Sequence, residues 1–237
     1  MYILFTAAAE DAEQPILFLK EKDYQVLHLP LMKYELLEED EYIKDTFEGF
    51  DSYENIIHGS KRNAAYFWQQ VLKYGKEEQV RQKLNFVIDE HTQAYLETIG
   101  VPAVLPRPKS KAIDVLEFMI RFKRLGMTLY PAGEATQEEM PGLLEELGVA
   151  YNDLNVFKER NLTENELNDA RIDIQTGTWD SVIFHSRSSV NRFFAACPDF
   201  DLADKKVFVT NEKVTKRLRD FSSIEPIDIE GNWELIN

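Results

Sequence analysis

Two short polar segments, Ser60-Lys61-Arg62 and Ser186-Arg187-Ser188, combine hydroxyl groups with positive charge. They lie in "YENIIHGSKRNAAYFW" and "WDSVIFHSRSSVNRFF", in which an apolar run leads through a polar corner into an amphipathic segment. Serine hydroxyls, the free amides of a helix N-terminus and a nearby Lys or Arg together suit a carboxylate or a phosphate. The two corners therefore indicate anion binding. The simpler alternative is that Ser60 and Ser186 only cap their helices, a position at which serine is favoured.

A third polar corner, Asp89-Glu90 with Thr92, follows the apolar run "LNFVI". Thr92 poses the same two alternatives as the serines, helix capping or contact with a ligand. Glu90, in the first turn of the predicted helix, is interpreted as a partner of the helix dipole.

Two of the four histidines, His58 and His185, end the apolar runs that precede the serine corners. An imidazole at such a place serves as an acid or base near a ligand, or as a hydrogen-bonded structural side chain. The histidines lack the spacing of a metal site, so we expect no metal. The single cysteine, Cys197, excludes an intrachain disulfide and is interpreted as a small buried side chain.

Composition and missing motifs exclude several classes of function. The net charge of −15 argues against a general binder of nucleic acids or anionic membranes. No GxGxxG, P-loop or GxSxG motif supports a dinucleotide enzyme, a P-loop NTPase or an α/β-hydrolase. The start "MYILFTAAAEDAEQ" lacks a basic region, and no apolar run reaches the ~18 residues of a membrane span. We therefore expect a soluble protein of a reducing compartment, most simply the cytoplasm.

The elements that must position these corners alternate along the chain. Short β-rich runs and longer amphipathic segments follow one another, which predicts βα units with parallel strands. The predicted strands are residues 2–6, 24–29, 55–58, 85–88, 103–105, 127–130, 151–157, 181–185, 206–210 and 225–229. This number exceeds one ordinary open sheet, so we expect two sheets of about five strands each.

Helical spacing of apolar residues predicts helices over residues 61–74 and 110–124, the second largely buried. Ligands of parallel α/β sheets bind beyond the carboxyl ends of the strands. Ser60 and Ser186 are therefore predicted on the ligand-facing edges of their sheets. The acidic segment 36–45 and the polar segment 158–168 are the predicted crossings between domains.

Five segments carry a resemblance to a known family. The opening "ILFTAAAEDAEQPILFLKEKDYQVLHLPLMKYE" contains a strand, a helix and a second strand ending in leucine-proline-leucine. The other four segments are the two serine corners, "VIDEHTQAYLETIGVPA" and "LYPAGEATQEEMPGLLEELGVAYNDLNVF". In their collinear order, over nearly the whole chain, these segments resemble the uroporphyrinogen-III synthase family.

The resemblance implies an α/β fold of two domains, each a parallel sheet flanked by helices, joined by a two-stranded linker. The first domain would comprise residues 1–34 and 162–237, and the second, inserted into it, residues 37–156. The substrate would be the linear tetrapyrrole hydroxymethylbilane, held in the interdomain cleft. It would lose its hydroxyl and close to uroporphyrinogen III with inversion of ring D through a spiro intermediate. No cofactor is implied, and we expect a cytoplasmic monomer whose only partner is this small molecule.

The resemblance also implies roles for the polar corners. Ser60, Thr92, Ser186 and Ser188 would bind substrate carboxylates, and Lys61, Arg62 and Arg187 would add positive charge. These seven residues form the predicted substrate-binding set.

The chain departs from the family pattern at several of these corners. Phe157 replaces a tyrosine whose hydroxyl is thought to assist departure of the substrate's hydroxyl, and Val214 replaces a threonine. The remaining replacements are Asp89 and Asn211 for glycines, Gly59 and His185 for threonines, and Ala7 for an arginine. The alternative function is therefore a non-enzymatic relative that binds another anionic small ligand, with Phe157 and Val214 marking lost chemistry.

Overall fold

The computed structural model describes residues 1–121, 126–134 and 139–236. The chain forms two compact units: unit 1 contains Met1–Tyr34 and the chain from Arg160 onward, and unit 2 is Glu35–Glu159. Residues 122–124 of the predicted second helix, part of the glycine-containing turn after Gly133 and residue 237 lie outside the described residues.

Strands and helices alternate along both units. The strands are β1 (Tyr2–Phe5), β2 (Gln25–His28), β3 (Met32–Leu36), β4 (Tyr53–His58), β5 (Leu84–Val87), β6 (Ala103–Val104), β7 (Met127–Gly133), β8 (Tyr151–Asn161), β9 (Ser181–Phe184), β10 (Lys206–Val209) and β11 (Ile227–Asp228). The α-helices are α1 (Ala9–Glu21), α2 (Glu41–Glu48), α3 (Lys61–Tyr74), α4 (Glu77–Gln82), α5 (Glu90–Thr98), α6 (Ala112–Met119), α7 (Glu139–Glu146), α8 (Glu164–Thr176), α9 (Arg187–Ala196) and α10 (Glu212–Leu218). Short 3-10 helices cover Phe50–Ser52 and Trp233–Leu235.

Unit 1 is built on a parallel sheet with the strand order β11-β10-β9-β1-β2. Neighbouring residues of a strand face opposite sides of the sheet. Leu4 accordingly packs with Phe184 and with Phe193 of α9, whereas Phe5 packs with Leu19 of α1. Helices thus cover both faces, and the carboxyl ends of β1, β9 and β10 lie at one edge of the sheet.

Unit 2 contains a sheet with the strand order β3-β8-β7-β4-β5-β6. β4 pairs in parallel with β5 and β7, and β7 pairs in parallel with β8. Ile57 of β4 packs with residues of α6 and α7, whereas the ring of the next residue, His58, lies 5.8 Å from the Phe67 ring of α3. The carboxyl ends of β4, β5 and β7 therefore lie at one edge, where they lead into helices.

Two strands, β3 and β8, carry the chain across the boundary between the units. Within unit 1, Lys33 of β3 and Arg160 of β8 both form ion pairs with Glu166 of α8, at 2.5 Å and 3.0 Å. The Glu166 carboxylate also accepts a hydrogen bond of 2.8 Å from the Thr163 amide. The side chains of Arg160 and Lys33, followed by Thr163, hold the pKa of Glu166 well below its usual range. One carboxylate therefore anchors the points where the chain leaves and re-enters unit 1.

Every predicted strand overlaps an observed one, so the prediction of two parallel sheets flanked by helices is confirmed. The sequence does not predict β3, because its residues are mostly half-buried and polar, like those of a linker. The first crossing accordingly lies within β3 rather than in segment 36–45, whose second half begins α2. The helix predicted over 110–124 is present as α6, but it is shorter and less buried than predicted: it ends at Met119, and Ile113 and Ile120 are exposed.

Candidate functional site

The first polar corner of unit 2 lies where β4 leads into α3. Ser60 is the N-cap of α3, and its Oγ accepts a hydrogen bond of 3.1 Å from the Asn63 amide and donates one of 2.8 Å to Asn63 Oδ1. Asn63 is fully buried and donates a 3.0 Å hydrogen bond to the Pro131 carbonyl of β7. The capping role of Ser60 is confirmed, and Asn63 fixes this corner to the neighbouring strand.

Arg62, the second residue of α3, lies against an aromatic ring of β8. Its guanidinium carbon is 5.3 Å from the centroid of the Phe157 ring, a cation–π distance. The Tyr66 ring packs on the same ring with the centroids 5.0 Å apart. Phe157 is fully buried and is in register with Gly133, the last residue of β7. Arg62, Tyr66 and Phe157, the Phe157 cluster, therefore lie at the same sheet edge as the Ser60 corner.

The second corner of unit 2, at the start of α5, is occupied by an acidic cap. Asp89 Oδ1 accepts a 2.7 Å hydrogen bond from the Thr92 amide, and Oδ2 accepts a 3.1 Å bond from the Thr92 hydroxyl. Thr92 is fully buried. Hydrogen bonds from its own amide and from the Lys109 amide lower the pKa of Glu90. The amides of α5 thus meet two carboxylates of the chain itself.

In unit 1, the polar corner lies where β9 leads into α9. The Ser186 hydroxyl accepts a 3.1 Å hydrogen bond from the Ser189 amide, and Ser189 Oγ accepts one of 3.1 Å from the Ser186 amide. This capping box confirms the capping role of Ser186. Arg187 and Ser188 are exposed, and in the described part of the chain they make no side-chain hydrogen bond or ion pair. Their side chains are accessible to a ligand.

His185 lies directly before this corner, at the edge of the sheet of unit 1. Its ring contacts Phe5 edge-on at 6.0 Å, and its carbonyl accepts a 2.9 Å hydrogen bond from the Thr210 hydroxyl. Nδ1 is buried without a hydrogen-bond partner among the described residues. Burial lowers the pKa of His185, against the opposing effect of the Asp11 carboxylate. Burial therefore favours the neutral form of the imidazole.

His58, its counterpart in unit 2, is a structural side chain. It is fully buried, with Nε2 3.1 Å from Asn85 Oδ1. Since the Asn85 amide nitrogen donates to the carbonyls of Val80 and Lys83, Oδ1 is an acceptor and His58 Nε2 carries the proton. Burial lowers the pKa of His58 to about 4. This geometry confirms the structural interpretation of His58.

Two further helix starts at the edge of unit 1 carry acidic residues: Glu212 precedes Lys213 in the first turn of α10, and the first turn of α1 is acidic. Asn211 caps α10 by accepting hydrogen bonds from the amides of Lys213 and Val214, and Val214 itself is buried. α1 begins after Ala8 without a side-chain cap and carries Glu10 and Asp11 in its first turn. Of these helix starts, α3 and α9 combine basic side chains with no acidic residue in the first turn.

Sequence reasoning missed three residues that shape these corners: Asn63, Tyr66 and Ser189. Asn63 and Ser189 stand three residues after their capping serines, a spacing that signals a reciprocal cap. Tyr66 carries no such signal, because its contact with Phe157 joins residues far apart in the sequence.

Neither a metal centre nor a membrane span is found in the ranges 1–121, 126–134 and 139–236. No group of three or more His, Cys, Asp or Glu side chains there is placed to hold a metal ion. None of the helices described there is both long and apolar enough to cross a membrane.

Two solved structures share the fold of the chain. The uroporphyrinogen-III synthetase of Helicobacter pylori 26695 superposes with a TM-score of 0.59 at 14% identity, over 96% of this chain and 91% of that one. A mutant uroporphyrinogen III synthase of the extremely thermophilic bacterium Thermus thermophilus superposes with a TM-score of 0.55 at 12% identity, over 96% and 92%. Among curated protein sequences, no significant match was found.

A family model gives the assignment that these low identities do not. The model described as uroporphyrinogen-III synthase HemD matches residues 14–223 of the 237 in the chain. The matched range includes all three polar corners and the Phe157 cluster. The chain therefore belongs to the uroporphyrinogen-III synthase family.

Proposed function

We propose that this protein cyclises hydroxymethylbilane to uroporphyrinogen III, with loss of water and inversion of ring D. The family match over residues 14–223 carries the proposal, since the family consists of cyclising lyases of tetrapyrrole biosynthesis. The parallel sheets with polar corners at their carboxyl edges support it, because this is where α/β proteins bind their ligands. None of these findings favours a non-enzymatic relative.

The substrate carries many carboxylates, and the corners offer groups that bind them. In unit 2 we assign Ser60, Lys61, Arg62 and Thr92 to substrate binding, and in unit 1 Ser186, Arg187 and Ser188. Helix amides supply hydrogen bonds and the basic side chains supply charge. Because the Ser60 and Ser186 hydroxyls and the buried Thr92 already serve caps, the backbone amides beside them carry much of the binding.

The proposed chemistry requires positioning more than a strong nucleophile. The hydroxyl of the substrate leaves as water, and the substituted carbon of ring D attacks the resulting electron-poor methylene carbon to form the spiro intermediate. Reopening and closure then invert ring D. The net change is loss of water, so no oxidant or reductant is consumed. The unassisted substrate closes without inversion, and the protein's contribution is to hold ring D in the inverting geometry.

The proposal also covers the domain limits, the oligomeric state and the location of the protein. Domain limits of 1–34 with 162–237, and of 37–156, are supported by the division of the chain at Tyr34 and Arg160. A cytoplasmic location is supported by the single cysteine, Cys197, which is buried and forms no disulfide. We also propose that the protein is a monomer. Light scattering of the purified protein tests the monomer.

The test of function is a product analysis with freshly prepared hydroxymethylbilane. Chromatography separates the type I and type III isomers, and we expect the type III isomer in the presence of the protein and type I in the blank. Type I alone, at the rate of the blank, would refute the proposed function.

A further inference from the structure

We propose that Phe157 is a positioning residue, whose ring holds the Arg62 guanidinium in the orientation that binds a substrate carboxylate at the start of α3; this assignment rests on the proposed function. From the sequence, Phe157 marks a lost hydroxyl. In the structure, the Phe157 ring instead lies against the guanidinium of Arg62 in α3.

The contacts within the Phe157 cluster define that orientation. Phe157 is fully buried, and the Tyr66 ring packs against it at 5.0 Å, so the aromatic ring is fixed. The Arg62 guanidinium carbon lies 5.3 Å from its centroid. A planar guanidinium stacks on an aromatic face, whereas the ammonium of lysine is a point charge without a preferred plane. The ring therefore restricts the position of the Arg62 guanidinium before any ligand arrives, which reduces the entropy lost on binding.

The place of Arg62 at the sheet edge makes this orientation useful. Ser60 caps α3, so the first amides of the helix and the Arg62 side chain lie at the same corner. A carboxylate that meets these amides accepts hydrogen bonds from them and pairs with two guanidinium N–H groups. Bidentate pairing requires the guanidinium plane to be aligned, and the Phe157 ring supplies that alignment.

The corresponding corner of unit 1 provides an internal comparison. Ser186 caps α9 as Ser60 caps α3, and Arg187 follows it. Arg187 is exposed, and within the described ranges no aromatic ring, hydrogen bond or ion pair holds its side chain. The two corners therefore share a sequence pattern and differ in whether their arginine is held on a ring.

Replacing Arg62 by lysine tests the role of the ring while conserving charge. For Arg62→Lys we expect KM to rise about tenfold with kcat nearly unchanged, because the lost interaction serves binding. The matched control is Arg217→Lys: Arg217 lies 4.8 Å from the centroid of the Phe221 ring and is not in the proposed substrate-binding set, so we expect KM to change by less than about twofold. Equal changes in the two variants would overturn the role of Phe157.

Variants of the ring itself test the coupling. Phe157→Leu removes the aromatic face and should raise KM as Arg62→Lys does, and the double variant should be no worse than either single one. Phe157→Tyr keeps the aromatic ring, so its KM should stay near that of the original protein. Additive effects in the double variant would contradict the coupling. If Phe157→Leu does not fold, the two lysine variants decide the question.

A binding measurement keeps this test independent of turnover. The oxidised type III product, an octacarboxylic porphyrin, is titrated into each variant and followed by quenching of tryptophan fluorescence. Weaker binding by Arg62→Lys than by Arg217→Lys supports the role of Phe157 even if the original protein yields no type III isomer, a result that would refute the proposed function alone. Equal binding by the two variants, or no binding by the original protein, overturns the role of Phe157.

Discussion

Asp89 accepts two hydrogen bonds from Thr92, 2.7 Å from its amide and 3.1 Å from its hydroxyl. The chain thus places its own carboxylate at the start of α5, where a carboxylate of a ligand would otherwise meet the helix amides. Ser60 and Ser186 cap their helices with neutral hydroxyls, beside Arg62 and Arg187. The corners of this protein are therefore not equivalent: two offer a neutral cap beside a basic side chain, and at the third a substrate carboxylate would have to compete with Asp89.

Replacing Asp89 separates its structural role from its effect on the ligand. Asp89→Ala removes the cap and should lower the free energy of unfolding by about 1 kcal/mol in urea titrations. Without the competing carboxylate, KM for hydroxymethylbilane should fall. Asp40→Ala removes the equivalent cap of α2, whose Asp40 Oδ1 accepts from the Ile43 amide at 2.7 Å, and should lower stability alone. A KM that falls equally in both variants would show that α5 has no special relation to the substrate.

Two substitutions of Ser186 should change stability and substrate binding separately. Ser186→Ala loses the acceptor for the Ser189 amide and should cost about 1 kcal/mol of unfolding free energy. Ser186→Asp keeps a cap but adds a carboxylate beside Arg187, so stability should be retained while KM rises. Urea unfolding and initial rates measure the two quantities. An unchanged KM for Ser186→Asp would remove the start of α9 from the substrate site.

His58 should make stability depend on pH. Its folded pKa, about 4, lies below the ordinary value of 6.5, so the folded state disfavours the protonated ring. Its stabilising effect is complete above pH 6.5 and is lost as the pH falls towards 4. At about 1.4 kcal/mol per pKa unit, the loss over this window is on the order of 3 kcal/mol.

His58→Gln keeps a donor towards Asn85 and cannot be protonated, so it should flatten that part of the profile. Urea titrations of both proteins from pH 7 to pH 4 measure the difference, in which the carboxylate contributions cancel. Parallel profiles would mean that His58 does not titrate on unfolding.

Glu166 should also make stability fall as the pH falls, but in a more acidic window than His58. The folded pKa of this carboxylate is depressed, so its contribution is present above the ordinary value of 4.5 and is lost as the pH falls below it. Glu166→Gln keeps a group able to complete the capping box but removes the ion pairs with Lys33 and Arg160. We expect a lower melting temperature at pH 7, with a difference that shrinks in high salt and in acid.

Glu212→Gln is the control for Glu166, because it breaks only the exposed pair with Lys216 on α10. Its melting temperature should stay close to that of the original protein. A comparable loss in both variants would show that the position of Glu166 at the two crossing strands is immaterial.

The sequence predicts those parts of the fold that depend on local pattern. Apolar runs and doubled corners predict the strands, and a serine between strand and helix predicts the caps at α3 and α9. β3 escapes prediction, because a half-buried, charged strand has the composition of a linker. The bond from Asn63 to Pro131 and the contact of Arg62 with Phe157 join distant residues, and no local pattern encodes them.

The ion pairs of Glu166 with Lys33 and Arg160 have a consequence for a shortened chain that contains unit 1 alone. Lys33 and Arg160 both form ion pairs with Glu166. The two chain ends left by excising residues 35–159 would therefore lie close together. All five strands of the sheet in unit 1 lie outside that stretch. A short peptide joining Tyr34 to Arg160 would therefore connect the two segments of unit 1 and leave its sheet complete. The points where the chain leaves and re-enters unit 1 therefore share one anchor, Glu166.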